Sequence, residues 1–322
     1  MQDPAPLRPA AEPAPARVPV AGRLGRMLLR VGVLEWFMLA ELFALELRLL
    51  AAPDASAARP YQARILGCLL LLAAATVVFR ARFDGRRWPR LAFNIALMVA
   101  SIAPFAWLKQ MIPIIHPQDM DAVLHAWDLA LFGFDASLWL ERFATPFSSE
   151  WFAGAYFGYY VAGSLMVLYV LFCHRRIEHL CEFAIVILGV NFIGWVLYTC
   201  FPGLGPGVYL AGQYRADLPG PHFTPWLLEF VKNGPQRDVF PSMHAALAVG
   251  IFLYTARYHR RLVWLVGLWV PHIVISTVFL RFHYLVDVVV GVLLVSLLFL
   301  LARPVLTAWQ RLRDRYGVDC RG

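Results

Sequence analysis

Five cysteines in 322 residues show no paired spacing and no Cys-x-x-Cys. That excludes a disulfide framework and a thiolate metal site. Cys68, Cys173, Cys181 and Cys200 fall in or beside apolar runs, as small apolar filler does, and Cys320 lies in a basic tail. Lysine is almost missing: Lys109 and Lys232 stand alone among the arginines, a bias that points to a GC-rich, bacterial genome. There is no internal repeat and no stretch with the composition of a soluble domain. Residues 1–22 are rich in Pro and Ala but lack an apolar core, so they read as a disordered tail rather than a signal peptide.

What is there in excess is hydrophobicity. The chain is 60% hydrophobic with a mean hydropathy of +0.60, outside the range of a soluble domain. Eight apolar runs approach the roughly 17–25 residues that cross a bilayer, at about 31–50, 63–79, 91–112, 151–173, 181–200, 243–257, 262–281 and 284–302. The first carries Glu35, Glu41, Glu46 and Arg48, so it either turns those charges toward neighbouring helices or lies at the interface. The expected class is all-α, a polytopic membrane helical bundle: a six-helix core at 91–303, two additional helices at 23–90, and a basic tail at 304–322.

The net charge of +8 follows the membrane and does not require nucleic acid. Arg80, Arg82, Arg86, Arg87 and Arg90 lie between the second and third runs, Arg175 and Arg176 between the fourth and fifth, and Arg257, Arg260 and Arg261 between the sixth and seventh. Arg303, Arg311, Arg313 and Arg315 follow the eighth. With eight crossings, all these tracts and both termini fall on one side, which the positive-inside rule makes cytoplasmic. The expected location is a bacterial inner membrane.

Three stretches remain for the other, periplasmic face: 51–62, 113–150 and 201–241. The second carries Asp119, Asp121 and Asp128 among Trp127, Leu131 and Phe132, which reads as short amphipathic helices capped by residues such as Asp135 and Ser137. Its acids are expected to be solvated faces or caps. The third opens Phe201-Pro202-Gly203-Leu204-Gly205-Pro206-Gly207, a cluster that cannot continue a helix and forces an irregular turn.

Two histidine motifs stand at this same face. Pro241-Ser242-Met243-His244 opens the sixth run, with Ser242 a natural N-cap. His244 then sits in the first helical turn, beside free N–H groups and the positive dipole end, where an anion such as phosphate is stabilised. His283-Tyr284-Leu285-Val286-Asp287 opens the eighth run and places a carboxylate four residues after a histidine, on one helical face. Asp287 can fix the imidazole tautomer, leaving the other nitrogen to attack. Arg281 supplies a charge for phosphate oxygens, and Arg237, Arg215 and Lys232 are further basic candidates. His272, His116, His125 and His222 read as headgroup contacts or caps. No metal or cofactor is implied.

These residues resemble a known family. Pro241–His244 and His283–Asp287 look like the second and third signature motifs of the type 2 phosphatidic acid phosphatase superfamily. Ser276-Thr277-Val278-Phe279-Leu280-Arg281-Phe282-His283-Tyr284 is most similar to its inositol phosphorylceramide synthase branch, as is the Phe201-Pro202 turn. The resemblance covers roughly 91–302. It implies that His283 is the nucleophile forming a phosphohistidine, His244 the general acid, Asp287 the residue orienting His283, and Ser242 with nearby amides a phosphate contact. The superfamily's first motif, a Lys and an Arg-Pro, is absent before Phe201. Thr277 stands where an Arg is usual, and Met243 where a Gly is usual.

Three functions are consistent with this reading. A phosphotransferase would pass a phosphate-linked headgroup, of the inositol-phosphate type, from a membrane phospholipid to a lipid or polyol acceptor. A hydrolase would use the same intermediate on a lipid phosphate or polyprenyl diphosphate. A transporter or scaffold would perform no chemistry, but the core runs lack the mid-depth charges that transport pathways need.

Overall fold

The computed structural model describes residues 22–82, 87–173, 177–233 and 237–318. Most of the amino-terminal tail, together with Arg86, Arg175, Arg176 and Cys320, lies outside the described residues. Those described form no strand, and the fold is an all-α bundle. It begins with α1 (Gly22–Arg30), α2 (Val33–Leu50), α3 (Ala55–Arg82) and α4 (Arg87–Ile115). Two short helices, α5 (Asp121–Phe132) and α6 (Ala136–Glu141), precede the long α7 (Pro146–Cys173) and α8 (Ile177–Cys200). An irregular stretch then holds α9 (Pro206–Tyr209), a 3-10 turn and α10 (Phe223–Asn233). The chain closes with α11 (Met243–Tyr258), α12 (Val263–Phe279) and α13 (Leu285–Arg315).

Each of the eight apolar runs lies on a helix of its own: α2, α3, α4, α7, α8, α11, α12 and α13. Four contain stretches both long and apolar enough to cross a membrane: Ala55–Phe79, Pro146–Val170, His179–Cys200 and Leu285–Arg315. The 25-residue stretch of α7 reaches about 37 Å at 1.5 Å per residue, against a hydrocarbon core of ~30 Å. The protein is an integral membrane protein. Helix α12 is equally apolar but has 17 residues, and α11 has 16.

The stretch after 303, read from sequence as a basic tail, continues α13 to Arg315. Arg313 is buried, and its guanidinium donates to the carbonyls of Leu29, Arg30 and Val31. It thereby satisfies orphan carbonyls at the end of α1. Trp309 Nε1 donates to Val31 O at 3.1 Å. These tertiary bonds hold helical a segment whose composition alone reads as solvated.

Helix α11 lies at the centre, packed against α7, α8, α12 and α13. Its small buried residues Ala245, Ala246, Ala248 and Gly250 permit that crowding, the device by which membrane helices approach closely. A close backbone approach occurs at Gly291 of α13, where a Cβ would lie 2.5 Å from Ser242 O. Only glycine lets the start of α13 lie across the start of α11, and this crossing brings the two histidine motifs together.

Candidate active site

At the end of the bundle where α11 and α13 begin, four carboxylates hold irregular backbone in place. Asp121 accepts from the amides of Leu204 and Gly205, both at 2.8 Å, and from the Tyr284 hydroxyl at 2.9 Å. Asp128 accepts from Leu285 N at 2.9 Å and Val286 N at 2.7 Å, so it caps α13 from another helix. Glu141 accepts from Arg215 N at 2.8 Å and Ala216 N at 3.3 Å. Glu150 accepts from the amides of His222, Phe223 and Thr224, capping α10. Asp121 and Asp128 are buried, and burial raises both carboxyls above the usual range against the pull of the amides they bind. They are caps, as one reading of their sequence context expected, but for distant segments. Asp135 does not cap α6 with its side chain; its Oδ2 meets His125 Nε2 at 2.6 Å.

The Gly/Pro turn is laid directly on the second motif. Gly205 has φ +85°, and a Cβ there would sit 2.5 Å from Phe282 O. Gly207 N donates to Arg281 O at 2.8 Å. Beneath it, α12 ends in a Schellman turn: Arg281 N donates to Val278 O, and Phe282 N to Thr277 O. Arg281 occupies the left-handed position at φ 65°, where glycine is usual and a side chain costs roughly 1–2 kcal/mol. Thr277, standing where the superfamily has Arg, is fully buried, and its carbonyl also accepts His283 N at 3.1 Å.

His283 is buried, with Nδ1 2.9 Å from Val239 O and 3.5 Å from Asp287 Oδ2. A carbonyl only accepts, so Nδ1 carries the proton and Nε2 keeps its lone pair. The nearest hydrogen-bond partner is therefore a backbone carbonyl, with the Asp287 carboxylate behind it. Asp287 Oδ2 accepts from Tyr284 N at 2.8 Å, while Oδ1 is buried without a partner. Burial lowers the His283 imidazole to about 4, against the opposing pull of Asp238 and the Val239 carbonyl. At neutral pH the ring is uncharged.

His244 lies in the first turn of α11, whose Ser242 cap accepts from Ala245 N at 3.5 Å. Three tyrosines of α7 surround its ring, at centroid distances of 4.3 Å for Tyr156, 4.8 Å for Tyr159 and 5.5 Å for Tyr160. The Tyr160 hydroxyl is 3.1 Å from Nε2. The His244 and His283 rings are 6.2 Å apart, centre to centre. Both line one cavity of about 1240 Å³, larger than the ~300–1000 Å³ of ordinary ligand pockets. Aromatic residues from α4, α7, α8 and α10, such as Phe105, Trp195, Tyr198 and Phe230, form much of its wall.

The other sequence candidates are placed unequally. Arg281 and Lys232 line the cavity. The Arg281 guanidinium lies 3.7 Å over the Tyr214 ring and donates to Glu141 at 3.3 Å and Ala216 O at 2.9 Å. Arg237 and Arg215 are not in the cavity wall; Arg237 pairs with Asp119 at 2.9 Å. Ser242 is fully buried, with its hydroxyl engaged in the cap and its amide donating to Asp287 O. Met243 fills the space over Gly194, where a Cβ would come within 2.2 Å of its sulfur.

Sequence reasoning missed Asp238, which lines the cavity beside Val239. Burial pushes its carboxyl up to about 6, while the neighbouring His283 pulls the other way. It also missed the tyrosines, although Tyr156, Tyr159 and Tyr160 share one helical face by their i, i+3, i+4 spacing. That spacing was the available signal.

The profile of the PAP2 superfamily matches residues 122–301, more than half of the chain, and the chain belongs to that superfamily. The match begins inside α5 and spans both histidine motifs. Comparison with curated proteins and with solved structures gives no match. Membership makes the chain a phosphatase-type membrane enzyme, with lipid phosphate chemistry as its general function.

Proposed function

We propose that this member of the PAP2 superfamily is a lipid phosphotransferase that moves a phosphate-linked headgroup, of the inositol-phosphate type, through a phosphohistidine on His283. The observation that carries the reading is the pair of imidazoles across one cavity, one with its Nδ1 proton committed to a carbonyl and its Nε2 lone pair available. His283 Nε2 attacks phosphorus, and the bond to the diacylglycerol oxygen breaks. His244 delivers a proton to that oxygen, in contact with Tyr160. Asp287 stands behind the imidazolium that results. An acceptor hydroxyl, on a lipid or polyol, then gives its proton to His244 and displaces His283 from phosphorus.

The first turn of α11 offers N–H groups and its dipole to the phosphate, and Arg281 and Lys232 add charge at the wall. The cavity volume favours two substrates over a single phosphate and a water. Six helices, from α4 through α13 without the short ones, form the catalytic unit in this reading, with α2 and α3 as additions. The arginine tracts supply the sidedness: site toward the periplasm of a bacterial inner membrane, both termini cytoplasmic. The test is incubation of purified protein with a phosphate-labelled phospholipid, with and without ceramide or diacylglycerol. Label appearing in a new lipid supports transfer. Free phosphate or free headgroup phosphate, regardless of acceptor, replaces the reading with hydrolysis. His283→Ala should lower turnover by at least ~10⁴-fold, and full activity in that variant would remove the mechanism.

A further inference from the structure

The fixed charges around the two histidines are unusual for a phosphate site. A site for a phosphate dianion is ordinarily ringed with arginine and lysine. Among the described residues, the charged groups in the cavity wall apart from the histidines are Lys232 and Arg281 on one side of the balance and Asp217 and Asp238 on the other. Arg281 directs its guanidinium onto Tyr214, Glu141 and Ala216. Lys232 is exposed on α10. Asp238 immediately precedes the residue whose carbonyl is 2.9 Å from His283 Nδ1. It lines one cavity with both catalytic rings, with Tyr156 and Tyr160 of α7 and with Tyr198 of α8, and buried Asp287 stands behind the same imidazole as Val239.

We infer that Asp238 is a specificity-determining residue that selects substrate by charge, admitting phosphodiesters with one negative charge and disfavouring phosphomonoesters and diphosphates with two or more. The inference rests on the phosphoryl-transfer reading above and adds a selectivity that membership of the superfamily does not supply. The physical reason is Coulombic: in a cavity walled by aromatic rings the effective dielectric is low, so each further negative charge on the phosphoryl group meets the carboxylate with little screening. A headgroup ester removes that second charge. The same carboxylate leaves the chemistry of a monoanionic diester in place.

The experiment compares the purified full-length protein with Asp238→Asn and Asp238→Glu. Substrates are phosphatidylinositol and phosphatidic acid with identical acyl chains, and binding of inorganic phosphate is measured in parallel. In Asp238→Asn, kcat/KM for the monoester should rise 10- to 100-fold relative to the diester, and phosphate should bind about tenfold more tightly; Asp238→Glu should keep the wild-type ratio. A ratio that does not move in Asp238→Asn, or a loss equal for both lipids, overturns the inference, because a merely structural role lowers both together. If the wild type turns over neither lipid yet Asp238→Asn tightens phosphate binding, the phosphoryl-transfer reading fails while charge selection by Asp238 stands.

Discussion

The two ends of the helical bundle use carboxylates in opposite ways. At the site end, Asp121, Asp128, Glu141 and Glu150 accept backbone amides from segments far away in the chain. At the other end, buried Glu182 of α8 meets side chains: Arg257 and Tyr258 of α11, and Arg303 of α13 at 3.1 Å. The reason is the backbone each end must satisfy. The site end contains long irregular stretches, and their amides need partners where water is scarce. At the other end the described connection, between α11 and α12, is a short turn, and the carboxylate is left to cross-link three helices. One end uses acids to shape loops, the other to clamp helices.

That contrast can be broken by substitution. The largest effect is expected from Asp128→Ala, which orphans two amides at the start of α13, each worth ~1–3 kcal/mol when buried unpaired. Turnover should fall at least ~100-fold along with the melting temperature, because the turn carrying His283 leads into that helix. A variant that melts early but turns over normally would show that the acid stabilises without shaping the site. Gly205→Ala comes next, since a Cβ at φ +85° would meet Phe282 O at 2.5 Å. We expect kcat/KM to drop roughly tenfold by displacement of the 281–283 turn; unchanged kinetics would mean that the turn yields without consequence.

At the other end, Glu182→Leu should lower the melting temperature by several degrees and leave kcat within about twofold, since the lost clamp lies near the far ends of α8 and α11. A large loss of kcat there would erase the division between the ends. The smallest effect is expected from Arg281→Gly: relief of the left-handed position by roughly 1 kcal/mol is offset by loss of the guanidinium's contacts with Tyr214, Glu141 and Ala216, so melting changes little while KM increases through loss of a cavity cation.

At the site end the pH dependence turns on His283. His283 is depressed from the ordinary 6.5 to about 4. The unfolded imidazole therefore binds a proton that the folded one refuses as pH falls between those values, and stability declines over that window. The folded His283 imidazole stays uncharged down to roughly pH 5. An acid limb near pH 6.5 in the wild-type turnover profile that persists in Asp238→Asn would contradict this.

Much of this was legible in the residues. Apolar run length marks a helix locally, and all eight runs lie on helices. Pro241-Ser242 announced the α11 cap because an N-cap involves residues only three apart. The family resemblance rested on two motifs that the profile match spans. Harder to read was every role depending on a distant partner. Arg237 looks like a phosphate ligand in sequence, but Asp119, 118 positions away, takes its guanidinium. Asp287 looks like the first hydrogen-bond partner of His283, but the carbonyl of Val239 is closer. A carbonyl has no signature in sequence, since every residue carries one.

The sequence by itself determined that this chain is a helical membrane protein with a histidine at each of two helix starts, because hydrophobic length and capping are short-range properties. Only the tertiary structure decided that those histidines face each other at 6.2 Å, which tautomer His283 holds, and that the Asp238 carboxylate lines the cavity with them. Those outcomes depend on how closely α13 can cross α11 at Gly291, and on which distant acids hold the loops between. Such contacts form only when segments separated by dozens of residues are packed together.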